Sequence, residues 1–413
     1  MAFSLTLFIA RRIAFNREKT FSRFIIRIAI IATTLSVAVM ILSTALVNGF
    51  QKAVSEKIFN FWGHLHVEVY QPDYAPLSAP PPFLENDSLL RVLRNLPQVS
   101  TVQAYATQAV ILKSSSDLDG VIFKGVRHDY DWDYLRSYLI SGRLPAFPDS
   151  GYADEILISA DMAQKLNLQV GNKVVVYFVS GSGQTPRPRV LKVSGIYRTG
   201  VQEYDHTYVV GDLRLLARMN DWQPNEIGGY EIFLRDYHDM DRLNELLYKQ
   251  ILPQNLMSIT IRQIYPNIFD WLHLQTTNEW IILVIMVIVA IINMTTAILI
   301  LILERTHMVG ILKAMGMQNR QIQMIFVRHA SFILGMGILL GNIAGLGLAW
   351  LQYTTHFFRL PEDVYYIAYA PISIHYWQVI AVDVGTLLVG VMLLRIPALI
   401  IRRIYPVQAL RFQ

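Results

Sequence analysis

Four long apolar segments, unevenly spaced, constrain this chain more than any other feature of its sequence. One lies near the N-terminus at 24–47, and three crowd the last third at 280–303, 330–355 and 378–401. Each has the ~20 residues a helix needs to cross a hydrocarbon core about 30 Å thick. Residues 48–278, between the first and second, have ordinary globular composition. The fold class expected is therefore membrane α-helical, with four transmembrane helices and a large α+β extracytoplasmic domain inserted between the first and second spans. The boundaries read as an interfacial helix at 1–23, spans at 24–47, 279–303, 329–355 and 378–401, and the domain at 48–278. A coupling segment at 304–328, an outer loop at 356–377 and a tail at 402–413 complete the chain.

Charge assigns the sides. Arg11, Arg12, Arg17, Lys19, Arg23 and Arg27 precede the first span against Glu18 alone. Arg305, Lys313, Arg320 and Arg328 stand between the second and third spans, and Arg402, Arg403 and Arg411 follow the fourth. Removing these, Glu304 and the intramembrane Asp383 and Arg395 leaves about 22 basic against about 28 acidic residues for the other side, the asymmetry of the positive-inside rule. Both termini read as cytoplasmic, and the net charge of +5 is topological, with no nucleic-acid partner implied. Phe3, Leu7, Phe8, Ile13, Phe15 and Phe21 among the N-terminal arginines suit an amphipathic interfacial helix or a basic flank that only sets topology. The segment after the first span, Leu46-Val47-Asn48-Gly49-Phe50-Gln51, lacks a small-x-small cleavage pattern, so the span reads as a retained anchor.

Within 48–278, alternation predicts strands at 66–70, 103–112, 120–126, 173–179, 190–196 and 230–234. Helical periodicity covers 86–96, 159–166, 212–219 and 240–251, with Asp161 or Ser159 capping the second and Asp239 or Asp241 the last. The proline-rich run 72–82 reads as an extended excursion, and 180–189 as a long loop stiffened by Pro186 and Pro188. Punctuation near 141–151 leaves one domain or two subdomains open.

Much chemistry is excluded. The chain has no cysteine, hence no disulfide, thiolate site or cysteine nucleophile. Asp129-Tyr130-Asp131-Trp132-Asp133 has the acids of a calcium loop but Tyr134 and Ile140 where Gly and Glu belong. His64-Leu65-His66 has no neighbouring cluster to complete a metal site. No G-x-x-x-x-G-K-[ST] loop occurs, so nucleotide energy must come from a partner. The expectation is a non-catalytic subunit with no resident cofactor or metal.

Positive signals lie near the membrane. Gly337, Gly341 and Gly345 share a face of the third span, as a seam for an internal neighbour or a dimer. Residues 304–316 form a short amphipathic helix with Met308, Ile311, Leu312 and Met315 recurring, to dock a partner or lie on its own bundle. Asp383 and Arg395 are intramembrane charges that can act functionally, or simply face a wet cavity and snorkel.

These residues also carry a resemblance. Phe8-Ile9-Ala10-Arg11-Arg12, Phe21-Ser22-Arg23-Phe24-Ile25 and Val47-Asn48-Gly49-Phe50-Gln51 resemble the start of lipoprotein-releasing ABC permeases of the LolC/LolE type. So do Pro186-Arg187-Pro188-Arg189-Val190-Leu191-Lys192-Val193-Ser194-Gly195 and Tyr265-Pro266-Asn267-Ile268-Phe269-Asp270-Trp271-Leu272. Glu304-Arg305-Thr306, then Gly310-Ile311-Leu312-Lys313-Ala314-Met315-Gly316, and the end Pro406-Val407-Gln408-Ala409-Leu410-Arg411 are similar to the wider MacB/FtsX-like superfamily. Ala32-Thr33-Thr34-Leu35-Ser36 departs from the branch, which usually has glycines there.

The resemblance implies a permease of the bacterial inner membrane, paired with a second permease, identical or homologous. Two copies of a cytoplasmic ATPase, which uses ATP and Mg, would dock on Glu304, Arg305, Met308, Gly310, Ile311, Leu312, Lys313, Met315 and Gly316. The substrate would be a lipoprotein drawn from the bilayer and passed to a periplasmic carrier. Val47, Phe50, Phe61, Trp62, Phe269, Trp271 and Leu272 would line a substrate shelter between the first span of one protomer and the second of its mate, or form an aromatic belt. Pro186, Arg187, Pro188 and Arg189 would form a carrier-binding loop. MacB-like efflux mechanotransmission and FtsX-like control of a cell-wall hydrolase are the alternatives.

Overall fold

The computed structural model describes residues 21–71, 80–115, 117–179, 186–399 and 401. Residues 1–20 of the interfacial helix proposed at 1–23, most of the proline-rich run, 180–185 and the tail lie outside the described residues. The chain divides into two compact units. The first comprises 1–52, 271–359 and 369–413; the second comprises 53–270 and 360–368.

Among the described residues, four helices are long and apolar enough to cross a membrane: α1 (Phe21–Trp62), α6 (Pro266–Glu304), α8 (Asn319–Thr355) and α9 (Tyr376–Leu393). Two are longer than the sequence reading allowed. Helix α1 runs well past Val47, and α6 begins at Pro266, well before residue 279. At 1.5 Å per residue α1 is about 63 Å long, twice a hydrocarbon core. The polar residues Lys52, Glu56 and Lys57 end the apolar stretch without ending the helix, because none is a helix breaker. Pro266 takes the first helical position, where its missing N–H costs nothing. Helix α9 stops at Leu393, short of the expected 401, and a separate turn, Arg395–Ala398, follows.

Within the first unit α1 and α8 meet along the glycine seam. A Cβ built on Gly337 would lie 2.6 Å from Thr33 Cβ, one on Gly341 2.6 Å from Val37 Cβ, and one on Gly345 3.1 Å from Ala38 Cα. The seam therefore closes inside the chain, and Thr33, Val37 and Ala38 of α1 are its partners despite lacking glycine. Gly335 and Gly347 face open space. Asp383 on α9 accepts from Asn342 Nδ2 on α8, 2.9 Å to each carboxylate oxygen, so it has a partner in the neighbouring helix. Arg395 is exposed.

The second unit holds a mixed ten-stranded sheet in the order β12-β1-β11-β3-β4-β9-β6-β8-β5, with β7 bridging β3 and β8. The strands are β1 (Leu65–Val69), β3 (Val99–Lys113), β4 (Leu118–Val126), β5 (Leu139–Gly142), β6 (Glu155–Ser159), β7 (Lys173–Phe178), β8 (Arg187–Tyr197), β9 (Tyr208–Asp212), β11 (Gly229–Leu234) and β12 (Leu256–Thr260). The short β2 (Phe83–Leu84) and β10 (Glu226–Ile227) pair separately. A single continuous sheet runs across 141–151, so this region marks no boundary between subdomains.

The unit also holds helices α2 (Asp87–Arg94), α3 (Ala160–Lys165), α4 (Leu213–Met219) and α5 (Met240–Leu246), besides shorter helical turns. Asn86 Oδ1 accepts from Ser88 N and Leu89 N, Ser159 Oγ from Met162 N, and Asp212 Oδ1 from Arg214 N. Each satisfies helix donors that otherwise lack partners. Neither Asp239 nor Asp241 caps α5 with its side chain. Asp239 sits at the N-cap without a hydrogen bond, and Asp236 instead caps the preceding 3-10 turn. Under α3 and α4 pack Val121, Phe123, Val174, Val176, Phe178, Leu191 and Val193, each buried side chain contributing about 1.5–3 kcal/mol.

Candidate functional site

Three places concentrate the chemistry foreseen from the sequence. The first is the segment after α6. Arg305 leaves helical geometry, Thr306 Oγ1 donates to Leu303 O at 2.5 Å, and α7 (Thr306–Ala314) begins. Met317 N donates to Leu312 O and Gly316 N to Lys313 O, closing the helix. The expected stripe of Met308, Ile311, Leu312 and Met315 divides. Met308 and Leu312 pack against a buried cluster that includes Ile302, Val309, Ile322 and Phe326, whereas Ile311 is 41% and Met315 78% exposed. The buried stripe is centred on Val309, shifted toward the bundle, because α7 lies on α8. Gly310 is buried with it, Glu304 and Gly316 are exposed, and Lys313 Nζ donates to Ile401 O at 2.7 Å. Ile311 and Met315 face outward from this packing.

The second place is where α1 and α6 meet within the first unit. The Phe50 and Trp271 rings stand edge to face at 5.2 Å. Gln51 Nε2 donates to Thr276 Oγ1 at 2.5 Å and to Leu272 O at 3.3 Å. Asn48 Nδ2 donates to Gln378 Oε1 on α9, and Ser373 N to Ala45 O. Phe50 and Trp271 thus meet within one chain. Val47 and Phe50 are half-buried and Leu272 is buried.

The remaining shelter residues belong to the second unit. Phe61 and Trp62 are fully enclosed in its core, at 0% and 4% exposure, and cannot face lipid. Phe269 stacks near Phe59 at 6.1 Å. The reason is the overlong α1: it carries Phe61 and Trp62 onto the sheet, where they flank Lys124 (Nζ to ring centroids 4.9 and 4.1 Å).

The third place is the expected carrier loop. Arg187, Pro188 and Arg189 are not loop but the start of β8, paired with Phe178, Tyr177 and Val176 of β7. Over these residues β8 pairs with β7 alone, the edge position that tolerates proline. Arg187 is held by Asp221 (2.7 Å) and Met219 O (3.0 Å), and Arg189 Nη1 by Pro188 O. Only Pro186 precedes the strand.

Sequence reasoning missed a buried polar layer in the second unit. Lys124 Nζ lies 2.7 Å from Glu231 Oε1, both at 0% exposure. His66, Glu68, Tyr105 and Gln103 are buried nearby on β1 and β3. Burial pushes the Lys124 ammonium below the usual lysine range, opposed by the Glu231 carboxylate. The available signal was a lysine inside Val121-Ile122-Phe123-Lys124-Gly125-Val126 and a glutamate inside Gly229-Tyr230-Glu231-Ile232-Phe233, charges within otherwise apolar strands.

The family model of the MacB-like periplasmic core domain matches residues 28–247, and that of the FtsX-like permease C-terminal region matches 280–406. The chain therefore belongs to the MacB/FtsX-like permease superfamily, as a permease of the LolC/LolE type. The lipoprotein-releasing system transmembrane protein LolC of Neisseria meningitidis is 23% identical over 100% of both chains. LolC of Xylella fastidiosa is 24% identical over 96% of each, and LolE of Haemophilus influenzae 23% over 94% of each.

Proposed function

We propose that this chain is the permease subunit of an ABC transporter that extracts lipoproteins from the bacterial inner membrane, where it is a multi-pass protein. The observation that carries this reading is similarity to LolC and LolE proteins along 94–100% of the chain, spanning the domain and the helices alike. Efflux mechanotransmission and hydrolase control are weaker readings, since they account for the superfamily features but not for the LolC-type match. Acyl chains cost about 0.8 kcal/mol per CH₂ to move into water, so extraction requires an energy source. The chain has no phosphate-binding loop, and ATP hydrolysis is assigned to a separate subunit present in two copies. That subunit docks on the outward residues Ile311 and Met315 of α7, with both termini on the same cytoplasmic side. A second permease completes the pair, and the second unit delivers substrate to a periplasmic carrier. Phe50, Trp271 and Leu272 border the entry for acyl chains.

Met315→Asp tests the docking. The variant should insert and fold normally, since Met315 is exposed, but lose the copurifying ATPase and ATP-dependent release of an acylated protein from proteoliposomes. Leu312→Asp should instead damage the bundle itself. Undiminished copurification and release with Met315→Asp would overturn the assignment.

A further inference from the structure

The last turn of α1 ends on the buried polar layer of the sheet in the second unit. A helix leaves its final carbonyls without internal partners, and here side chains from the strands take two of them. Lys124 Nζ of β4 donates to Phe61 O at 2.5 Å. His66 Nε2 of β1 donates to Trp62 O at 2.8 Å. Gly63, with φ +69°, stops the helix in the left-handed region that favours glycine, and its N–H returns to Phe59 O at 2.7 Å.

Each donor has its own acid. Glu231 of β11 sits 2.7 Å from Lys124, and its Oε2 has no hydrogen-bond partner among the described residues. Glu68 Oε1 lies 3.6 Å from His66 Nδ1, and the Tyr105 hydroxyl meets both. The pairs occupy neighbouring strands, since His66 is in register with Glu231, and Glu231 with Gln103. A fully buried ion pair contributes little net stability, and well-packed apolar residues of similar volume often serve as well or better. Cations at a helix C-terminus, however, fix that end through both the hydrogen bond and the dipole.

We propose that Lys124 and His66 are positioning residues that clamp the outer end of α1 to the sheet, so that movement of this helix is carried into the domain during the release cycle. Transmission during release rests on the proposed transport function, whereas the clamp itself does not.

The decisive variant is Lys124→Met combined with Glu231→Met in the full chain, assembled with its ATPase. Replacing both partners removes the Lys124 half of the clamp without leaving an unpaired buried charge. Melting should stay close to that of the unaltered protein, while amide exchange at Phe59–Trp62 should rise about tenfold, the factor expected for losing one charge-assisted hydrogen bond. ATP turnover should persist, and lipoprotein released per ATP hydrolysed should fall. His66→Phe removes the second donor alone and should change exchange and release in the same direction, which keeps the test open if the double variant folds poorly. Unchanged exchange at Phe59–Trp62 in a folded variant would overturn the clamp. Raised exchange with unaltered release per ATP would overturn its role in transmission. If the unaltered complex released no lipoprotein, the transport reading would fall, and the exchange result would still judge the clamp.

Discussion

Acidification should destabilise the second unit through His64. This side chain is 9% exposed and its ring stacks on Phe59 at 4.2 Å between centroids. Its Nδ1 accepts from Leu234 N at 3.1 Å, so a proton added there would face a donor. Burial lowers its pKa from 6.5 to about 4, with nearby Asp236 opposing the shift. Between those values the unfolded chain binds a proton that the folded chain refuses, so stability rises with pH across this window and falls as pH drops through it. The limiting loss is about 3 kcal/mol, and about 2 kcal/mol of it falls between pH 7 and pH 5. Pulse proteolysis of the full chain across a urea series, at pH 7 and at pH 5, measures this loss directly. His64→Gln keeps an acceptor but cannot titrate, and its pH dependence should be smaller by that amount. Parallel pH dependences in the two proteins would refute the linkage to His64.

Other outcomes follow from packing and pairing. Gly341→Leu forces a side chain into Val37 and should destabilise the helix bundle by about 1–3 kcal/mol, read as earlier aggregation on heating in detergent. Gly347→Leu, into open space, should leave the aggregation temperature unchanged. Asn342→Leu strips Asp383 of its partner and should lower the yield of folded protein, while Asn342→Leu with Asp383→Leu should restore it. Replacing residues 180–185 by Asn-Gly should preserve the β7–β8 pairing and ATP turnover but slow hand-over to a carrier. Unchanged hand-over kinetics would refute a carrier-binding role for residues 180–185.

The four long apolar helices were legible because a lipid core demands ~20 apolar residues, whatever those residues pack against. The helix ends were not, because apolarity reports the surrounding solvent, and neither Lys52 nor Glu56 breaks a helix. Strands with clean alternation, such as β3 and β7, could be read directly. By contrast β6, β9 and β12 are almost wholly buried, which removes the period-2 signal. The glycine face on α8 could be seen, but not Thr33 and Val37 opposite it, since no local pattern names a partner distant in the chain. The apolar stripe on α7 has the expected period but another phase, because the sequence cannot say which side of a short amphipathic helix its own bundle claims. The Lys124–Glu231 pair was hidden for a similar reason: each charge looks solvated until the sheet order sets both in one dry layer.

The sheet order also sets a timetable. Strand β1 follows α1 directly, yet its two neighbours, β11 and β12, are among the last parts of the domain to be synthesised. Leu65 pairs with Ile232 on one side and Thr260 on the other. At roughly 5–20 residues per second, β1 waits about 10–40 s with both edges bare before its partners leave the ribosome. During that interval it is an open template for any passing strand. Slower translation beyond residue 200 would lengthen the exposure, and faster translation would shorten it.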